Sequence, residues 1–141
     1  MKIKTELINF SDGLSLESGE KLDSFDLMVE SYGELNKSKS NAILLCHAFS
    51  GNHHAAGDDK ELGIGWWDQL VGPNKAIDTE KYYVVCCNNL GGCAGSSGPS
   101  TINRETNKPF GVDFPQVTVE DWVNSQKMLM DKLDIPHWHL V

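Results

Sequence analysis

Two short, almost uninterrupted apolar runs stand out along the chain: Ala42-Ile43-Leu44-Leu45-Cys46 and Tyr82-Tyr83-Val84-Val85-Cys86-Cys87. Runs of that length, bounded by polar loops, predict strands covered on both faces, as in a parallel sheet. A third segment, from Phe25 to Tyr32, has mixed strand character and ends at Gly33. The other periodicity lies near the end. Val119, Trp122, Val123, Gln126, Leu129, Met130 and Leu133 recur at spacings of three and four, which predicts an amphipathic helix over 119–133. Thr118 with Asp121 three residues on resembles a capping box, and Asp134-Ile135-Pro136 stops the helix. His139-Leu140-Val141 then has the look of a new strand. Before Phe25 the segments are short and weakly patterned, punctuated by turn signals at Asp12-Gly13 and Ser18-Gly19. Trp66-Trp67-Asp68-Gln69-Leu70-Val71 reads as a short helical turn before Gly72-Pro73.

Strand, loop, strand, loop, helix, strand is the rhythm of an α/β domain with a mostly parallel sheet. Such sheets meet their ligands at the loops leaving the carboxyl ends of strands. The two most unusual loops, after Cys46 and after Cys87, both hold that position. Function is to be sought there.

Composition narrows the classes. A formal charge of −8 over 141 residues, with no basic stripe, argues against nucleic acid or an anionic membrane as the main partner. No apolar run approaches the ~20 residues of a membrane span, and Met1-Lys2-Ile3-Lys4-Thr5-Glu6 holds no signal-peptide core. A soluble cytoplasmic protein is the default expectation. Cys46, Cys86 and Cys87 fall in or beside the buried runs, so reduced core thiols are expected rather than disulfides. Adjacent strand residues point to opposite faces, so Cys86 and Cys87 should not serve one site together.

Several constellations invite chemistry. Gly91-Gly92-Cys93-Ala94-Gly95 formally fits a G-x-C-x-G nucleophile turn. The same glycines suggest phosphate binding, but no Walker lysine or G-x-G-x-x-G pattern accompanies them. Cys46, His47, His53 and His54 lie near Asp58 and Asp59, yet no zinc-ligand frame is present, so no metal is assigned; His53 and His54 are placed on a mobile loop, and a structural or solvated role is expected for the group. His137 and His139 read as packing or surface residues. Trp66 and Trp67 read as core rather than as a ligand contact.

The loops also carry a resemblance. Cys46-His47-Ala48-Phe49-Ser50-Gly51, Gly65-Trp66-Trp67-Asp68, Gly72-Pro73-Asn74-Lys75 and Ile77-Asp78-Thr79 are similar to segments of homoserine O-acyltransferases. So are Tyr32-Gly33-Glu34-Leu35-Asn36, the run from Asn89 to Pro99, and Phe114-Pro115-Gln116-Val117-Thr118. The resemblance covers about residues 20 to 141. It implies an α/β-hydrolase fold with a helical lid, and transfer of an acyl group from acyl-CoA to the hydroxyl of L-homoserine in methionine synthesis. Acetyl is the first expectation, with succinyl the alternative. No cofactor is implied beyond acyl-CoA as co-substrate, and the family often dimerises through lid elements.

The family's mechanism passes the acyl group through a serine on a G-x-S-x-G elbow, with a histidine base and an aspartate. No G-x-S-x-G occurs here. The resemblance places the elbow just beyond the strand that His139-Leu140-Val141 begins, so residues 1–141 are expected to be an N-terminal fragment of the fold, without triad or lid. It makes Gly91-Gly92-Cys93-Ala94-Gly95 a structural loop. It also implies that the Phe49 backbone N–H is one oxyanion donor and that Ser50 contacts homoserine; many relatives have Leu-Thr at these two places. The plainer reading is that Phe49 packs and Ser50 turns the chain. By itself the polypeptide is expected to be inactive. The alternatives are a non-catalytic remnant, half of a split enzyme, or a hydrolase of the same fold.

Overall fold

The computed structural model describes residues 1–141. Its central sheet has four strands: β1 (Ile3–Phe10), β2 (Phe25–Tyr32), β3 (Ala42–Leu45) and β4 (Tyr83–Cys87). Their spatial order is β1-β2-β4-β3. β1 and β4 both pair antiparallel with β2, whereas β4 and β3 run parallel. Leu140 forms a parallel bridge to Ile43 on the free side of β3. There Leu44 N–H donates to the Leu140 carbonyl at 3.0 Å, and His139 N–H donates to the Ala42 carbonyl at 2.7 Å. The predicted strand start at 139–141 is therefore real. The parallel part of the sheet comprises β4, β3 and this last segment, and β1 and β2 join it antiparallel.

β1 escaped the pattern reading because it is an edge. Ile3 and Leu7 are 40% and 55% exposed, so no apolar alternation marks the strand. Its structure comes from pairing with β2 over all eight residues, locked at one end by Phe10 stacked on Phe25. Strand propensity of this kind depends on the partner more than on the residue.

Two apolar layers flank the sheet. Phe10, Leu14, Leu22, Phe25, Leu27 and Val29 pack on one face with Val85, Cys87 and Leu129. Tyr32, Ile43, Leu45, Val84 and Cys86 form the other with Ala55, Ala56 and Val71 from the loop after β3. Cys86 and Cys87 thus face opposite layers as the strand pleat requires. All four cysteines are unpaired, and Cys46 departs from expectation: it is exposed, one residue past β3, rather than a core thiol.

One long helix, α1 (Val119–Lys132), covers the first face. It starts with the predicted capping box. Asp121 N–H donates to the Thr118 hydroxyl at 3.4 Å, and the fully buried Asp121 carboxylate accepts Thr118 N–H at 2.8 Å. Its other oxygen accepts Glu17 N–H at 3.0 Å, which ties the helix to the short hairpin that pairs Leu14–Ser15 with Lys21–Leu22. Val119 and Val123, counted in the predicted apolar stripe, face outward instead, 62% and 57% exposed. The helix turns Ser125, Gln126 and Leu129 inward. Thr118→Ala removes one cap, and is expected to cost about 1 kcal/mol in urea unfolding without loss of secondary structure by circular dichroism. No helix is long and apolar enough to cross a membrane.

Candidate functional site

Because β3 and β4 are parallel neighbours, their carboxyl ends release two loops on the same edge of the sheet. The loops meet at one hydrogen bond: Asn89 N–H donates to His47 Nε2 at 3.1 Å. A ring nitrogen that accepts carries no proton, so the proton of neutral His47 sits on Nδ1. Nδ1 lies 2.8 Å from the Ala48 carbonyl and donates to it. Gly51 N–H donates to the same carbonyl at 2.7 Å, closing a turn over residues 48–51. Phe49 and Ser50 form the corners of that turn. The Phe49 side chain is 93% exposed, so it packs against nothing within residues 1–141. Its N–H and the Ser50 hydroxyl make no hydrogen bond within the protein.

The loop after β4 is pinned on both sides. Asn88 N–H continues the ladder to the Met28 carbonyl at 2.8 Å, and the chain then swings away from the sheet. It returns at Ser96 and Ser97, whose hydroxyls accept Met28 N–H and Asp26 N–H, each at 2.9 Å. Gly95 permits the return: its φ is +97°, and a Cβ there would stand 2.7 Å from Met28 Cε. From α1, Gln126 Nε2 donates to Asn89 Oδ1 at 3.2 Å and Trp122 Nε1 to the Leu90 carbonyl at 2.9 Å. Cys93 sits on the exposed tip of the excursion with no histidine or carboxylate bonded to it. The G-x-C-x-G pattern is a loop tip. Burial pushes the neighbouring Cys87 thiol up to about 12 and Cys86 well above its ordinary value, so neither is a nucleophile at neutral pH.

His53 and His54, for which the sequence leaves a structural or a solvated role open, are buried at 5% and 4% exposure, so the role is structural and the loop that carries them is packed rather than mobile there. His54 Nδ1 lies 2.8 Å from Glu30 Oε2, and Nε2 lies 3.0 Å from the Gly63 carbonyl. Both ring nitrogens face acceptors, an arrangement that favours the doubly protonated, positively charged ring. Burial opposes that charge, but the hydrogen bond to Glu30, its negative charge and the Gly63 carbonyl together raise the His54 pKa above 6.5. Glu30 also accepts from Thr5 Oγ1 at 2.9 Å and from the Tyr32 hydroxyl. That hydroxyl in turn accepts Ala55 N–H at 2.7 Å and Ala56 N–H at 3.1 Å, while burial and Glu30 raise its pKa. The result is a clamp between β2 and the loop after β3. Gly65 closes the loop onto itself: a Cβ there would stand 2.3 Å from the Ala56 nitrogen. His53 is held neutral, its pKa lowered chiefly by burial, and its Nδ1 has no partner.

The remaining motif residues build scaffold. Asp68 accepts Gly57 N–H at 2.9 Å and pairs with Lys75 at 3.2 Å, and Asp78 caps the 74–81 turn through Asn74 and Glu80 N–H. Trp66 packs against the Tyr32 layer and donates to the Asn52 carbonyl at 3.0 Å. Trp67 is 41% exposed rather than core. Residues 66–70 form the expected short helical turn, with Val71 N–H donating to the Trp67 carbonyl at 3.0 Å. His139 stacks on Tyr82, and His137 is exposed.

No protein-family model matches the chain. Homoserine O-succinyltransferase of Hahella chejuensis is 57% identical over 99% of this chain and 37% of its own length. The enzyme of the same name from Pseudomonas aeruginosa is 54% identical with the same coverage. The chain thus spans about 37% of the length of the curated relatives it matches. Among solved structures, homoserine O-acetyltransferase from Bacillus anthracis superposes with a TM-score of 0.90, at 35% identity over 99% of this chain and 39% of that one. Esterase E22 superposes with a TM-score of 0.88, at 37% identity over 97% of this chain and 39% of that one.

Proposed function

Since the chain belongs by sequence and fold to the homoserine O-acyltransferases of the α/β-hydrolase class, we propose that it serves acyl transfer from acyl-CoA to the hydroxyl of L-homoserine. In this reading residues 1–141 supply the sheet scaffold and one half of the oxyanion hole. The observation that carries it is the unengaged Phe49 N–H, presented at the carboxyl end of β3 by a turn whose carbonyl is doubly bonded. As a thioester or acyl-enzyme carbonyl is attacked, negative charge develops on its oxygen. A fixed N–H at that point stabilises the charge without reorganising at the moment of reaction. Ser50, with a free hydroxyl at the next corner, is suited to hold the homoserine hydroxyl or amine. No G-x-S-x-G segment lies in these residues, so none of them is assigned as nucleophile, base or triad acid.

The initial expectation of acetyl gives way to succinyl as the proposed acyl group, because the relatives above 50% identity bear the succinyltransferase name. The reading takes the reaction to be part of methionine biosynthesis and the working enzyme to be a homodimer. Four unpaired cysteines suit a reducing, cytoplasmic setting. A second reading, ester hydrolysis with water as acceptor, is favoured by the likeness to esterase E22.

A chimera separates these readings. This chain is put in place of the corresponding part of the Hahella chejuensis relative, and thiol release from succinyl-CoA and acetyl-CoA is followed with and without L-homoserine. Homoserine-dependent release with succinyl-CoA favoured by at least about tenfold, the scale of one small pocket contact, is the expected result. Release independent of homoserine would establish the hydrolase reading. A soluble, folded chimera without either activity would remove the proposal.

A further inference from the structure

We propose that His47 is the positioning residue of this site, fixing the Ala48–Phe49 peptide plane so that the Phe49 N–H points out as a donor. The inference rests on the reading of Phe49 as oxyanion donor. A trans peptide is planar, and its C=O and N–H point in opposite directions. The structure has no cis peptide. Whatever holds the Ala48 carbonyl therefore aims the Phe49 N–H. Two donors hold it, His47 Nδ1 at 2.8 Å and Gly51 N–H at 2.7 Å. The Gly51 bond belongs to the turn itself and opens when the turn opens. The His47 bond does not, because the ring is anchored at its far end by Asn89 N–H on Nε2.

Three features make the imidazole suited to this task. Its two nitrogens are used in opposite senses, and the accepting Nε2 forces the proton onto Nδ1. Asn89 is itself held from α1 by Gln126 Nε2 at 3.2 Å, so the chain of bonds starts on a helix rather than on a loop. Gly51 makes room for the ring: a Cβ at that position would lie 2.9 Å from His47 Cβ and 3.2 Å from Nδ1. Hydrogen bonds to a carbonyl oxygen also polarise the amide, which strengthens the N–H on its other side as a donor. His47 thus aims the Phe49 N–H and sharpens it, without itself reaching the substrate.

The test separates the two ring nitrogens. His47→Asn keeps a donor near the Nδ1 position, whereas His47→Gln presents its amide near Nε2 and His47→Ala keeps neither. In the chimera described above, H47N keeps the donor to the Ala48 carbonyl but loses the Asn89 anchor, so it is expected to retain severalfold more kcat than H47Q or H47A while falling below the parent. H47Q and H47A are expected to lose about tenfold or more in kcat with KM for acyl-CoA unchanged, a fraction of the loss on deleting an oxyanion donor outright. On the full 141-residue chain, a long-range ¹H–¹⁵N spectrum should show His47 as the Nδ1–H tautomer. The Phe49 amide should shift far more in H47Q and H47A than in H47N. Equal kcat for all three variants, or an Nε2–H tautomer, would overturn the positioning role while leaving the Phe49 reading intact. That reading fails separately if Phe49→Pro in the same background keeps full kcat.

Discussion

Replacing Phe49 by proline in the chimera is expected to lower kcat for acyl transfer by about 10²- to 10³-fold, the usual loss for one oxyanion donor. A main-chain donor cannot be removed by trimming a side chain. Phe49→Ala keeps the N–H and trims only the side chain, so it should lose far less kcat than a variant without the N–H. Proline removes the N–H itself. It also suits the backbone, since position 49 is the second residue of a turn closed by Gly51 N–H on the Ala48 carbonyl, and proline is favoured there. The Phe49 N–H donates to nothing within the protein, so its removal breaks no bond of the folded state. A large fall in kcat with an unchanged melting temperature is thus the signature of a lost transition-state interaction. Steady-state kinetics at saturating homoserine, paired with a thermal melt, reads both. Full kcat in Phe49→Pro would exclude this N–H from the chemistry.

How far the sequence discloses this arrangement depends on where each residue's information lies. β3 and β4 are legible because strands buried on both faces must be apolar at every position. α1 is legible because its capping box and inward residues lie within one local segment. β1 is not, since Ile3 and Leu7 are exposed and its conformation is dictated by pairing with β2. Val119 and Val123 satisfy a helical period yet face outward, because the period does not say which flank of a stripe meets the sheet. The two site loops are located by topology, and Phe49 and Ser50 by resemblance. The bond that joins the loops is invisible in the sequence, because its donor is the backbone N–H of Asn89 and any residue but proline has one. Glu30 is illegible for a different reason. A glutamate in a strand reads as a solvent-facing position, and only the fold brings His54, 24 residues away, over it.

Glu30→Gln is expected to destabilise the chain by about 3 kcal/mol or more near pH 5.5, and by clearly less near pH 8.5. Glu30 and His54 are 5% and 4% exposed, so removing one partner leaves the other's charge without water to stabilise it. The pH dependence follows from the raised His54 pKa. A histidine whose folded pKa lies above the unfolded value contributes its full stabilisation below 6.5. That contribution disappears as pH rises through the folded value. In Glu30→Gln the carboxylate is gone and the folded state must hold His54 neutral. Nδ1 can then accept from the new amide, while Nε2–H still donates to Gly63. The neutral arrangement is satisfied at high pH and opposed at low pH, so the penalty grows with acidity. His53 adds in the same sense, because Glu30 offsets part of the burial that lowers its pKa. Urea midpoints of parent and variant at the two pH values decide the matter. A penalty independent of pH would mean that His54 is neutral in the folded protein. The clamp would then be held by the Tyr32 hydroxyl and its bonds to Ala55 and Ala56 N–H. Either way the loop that follows the Phe49 turn is tied to β2 through this one cluster, so its loosening should reach the candidate site through Asn52, whose carbonyl accepts from Trp66.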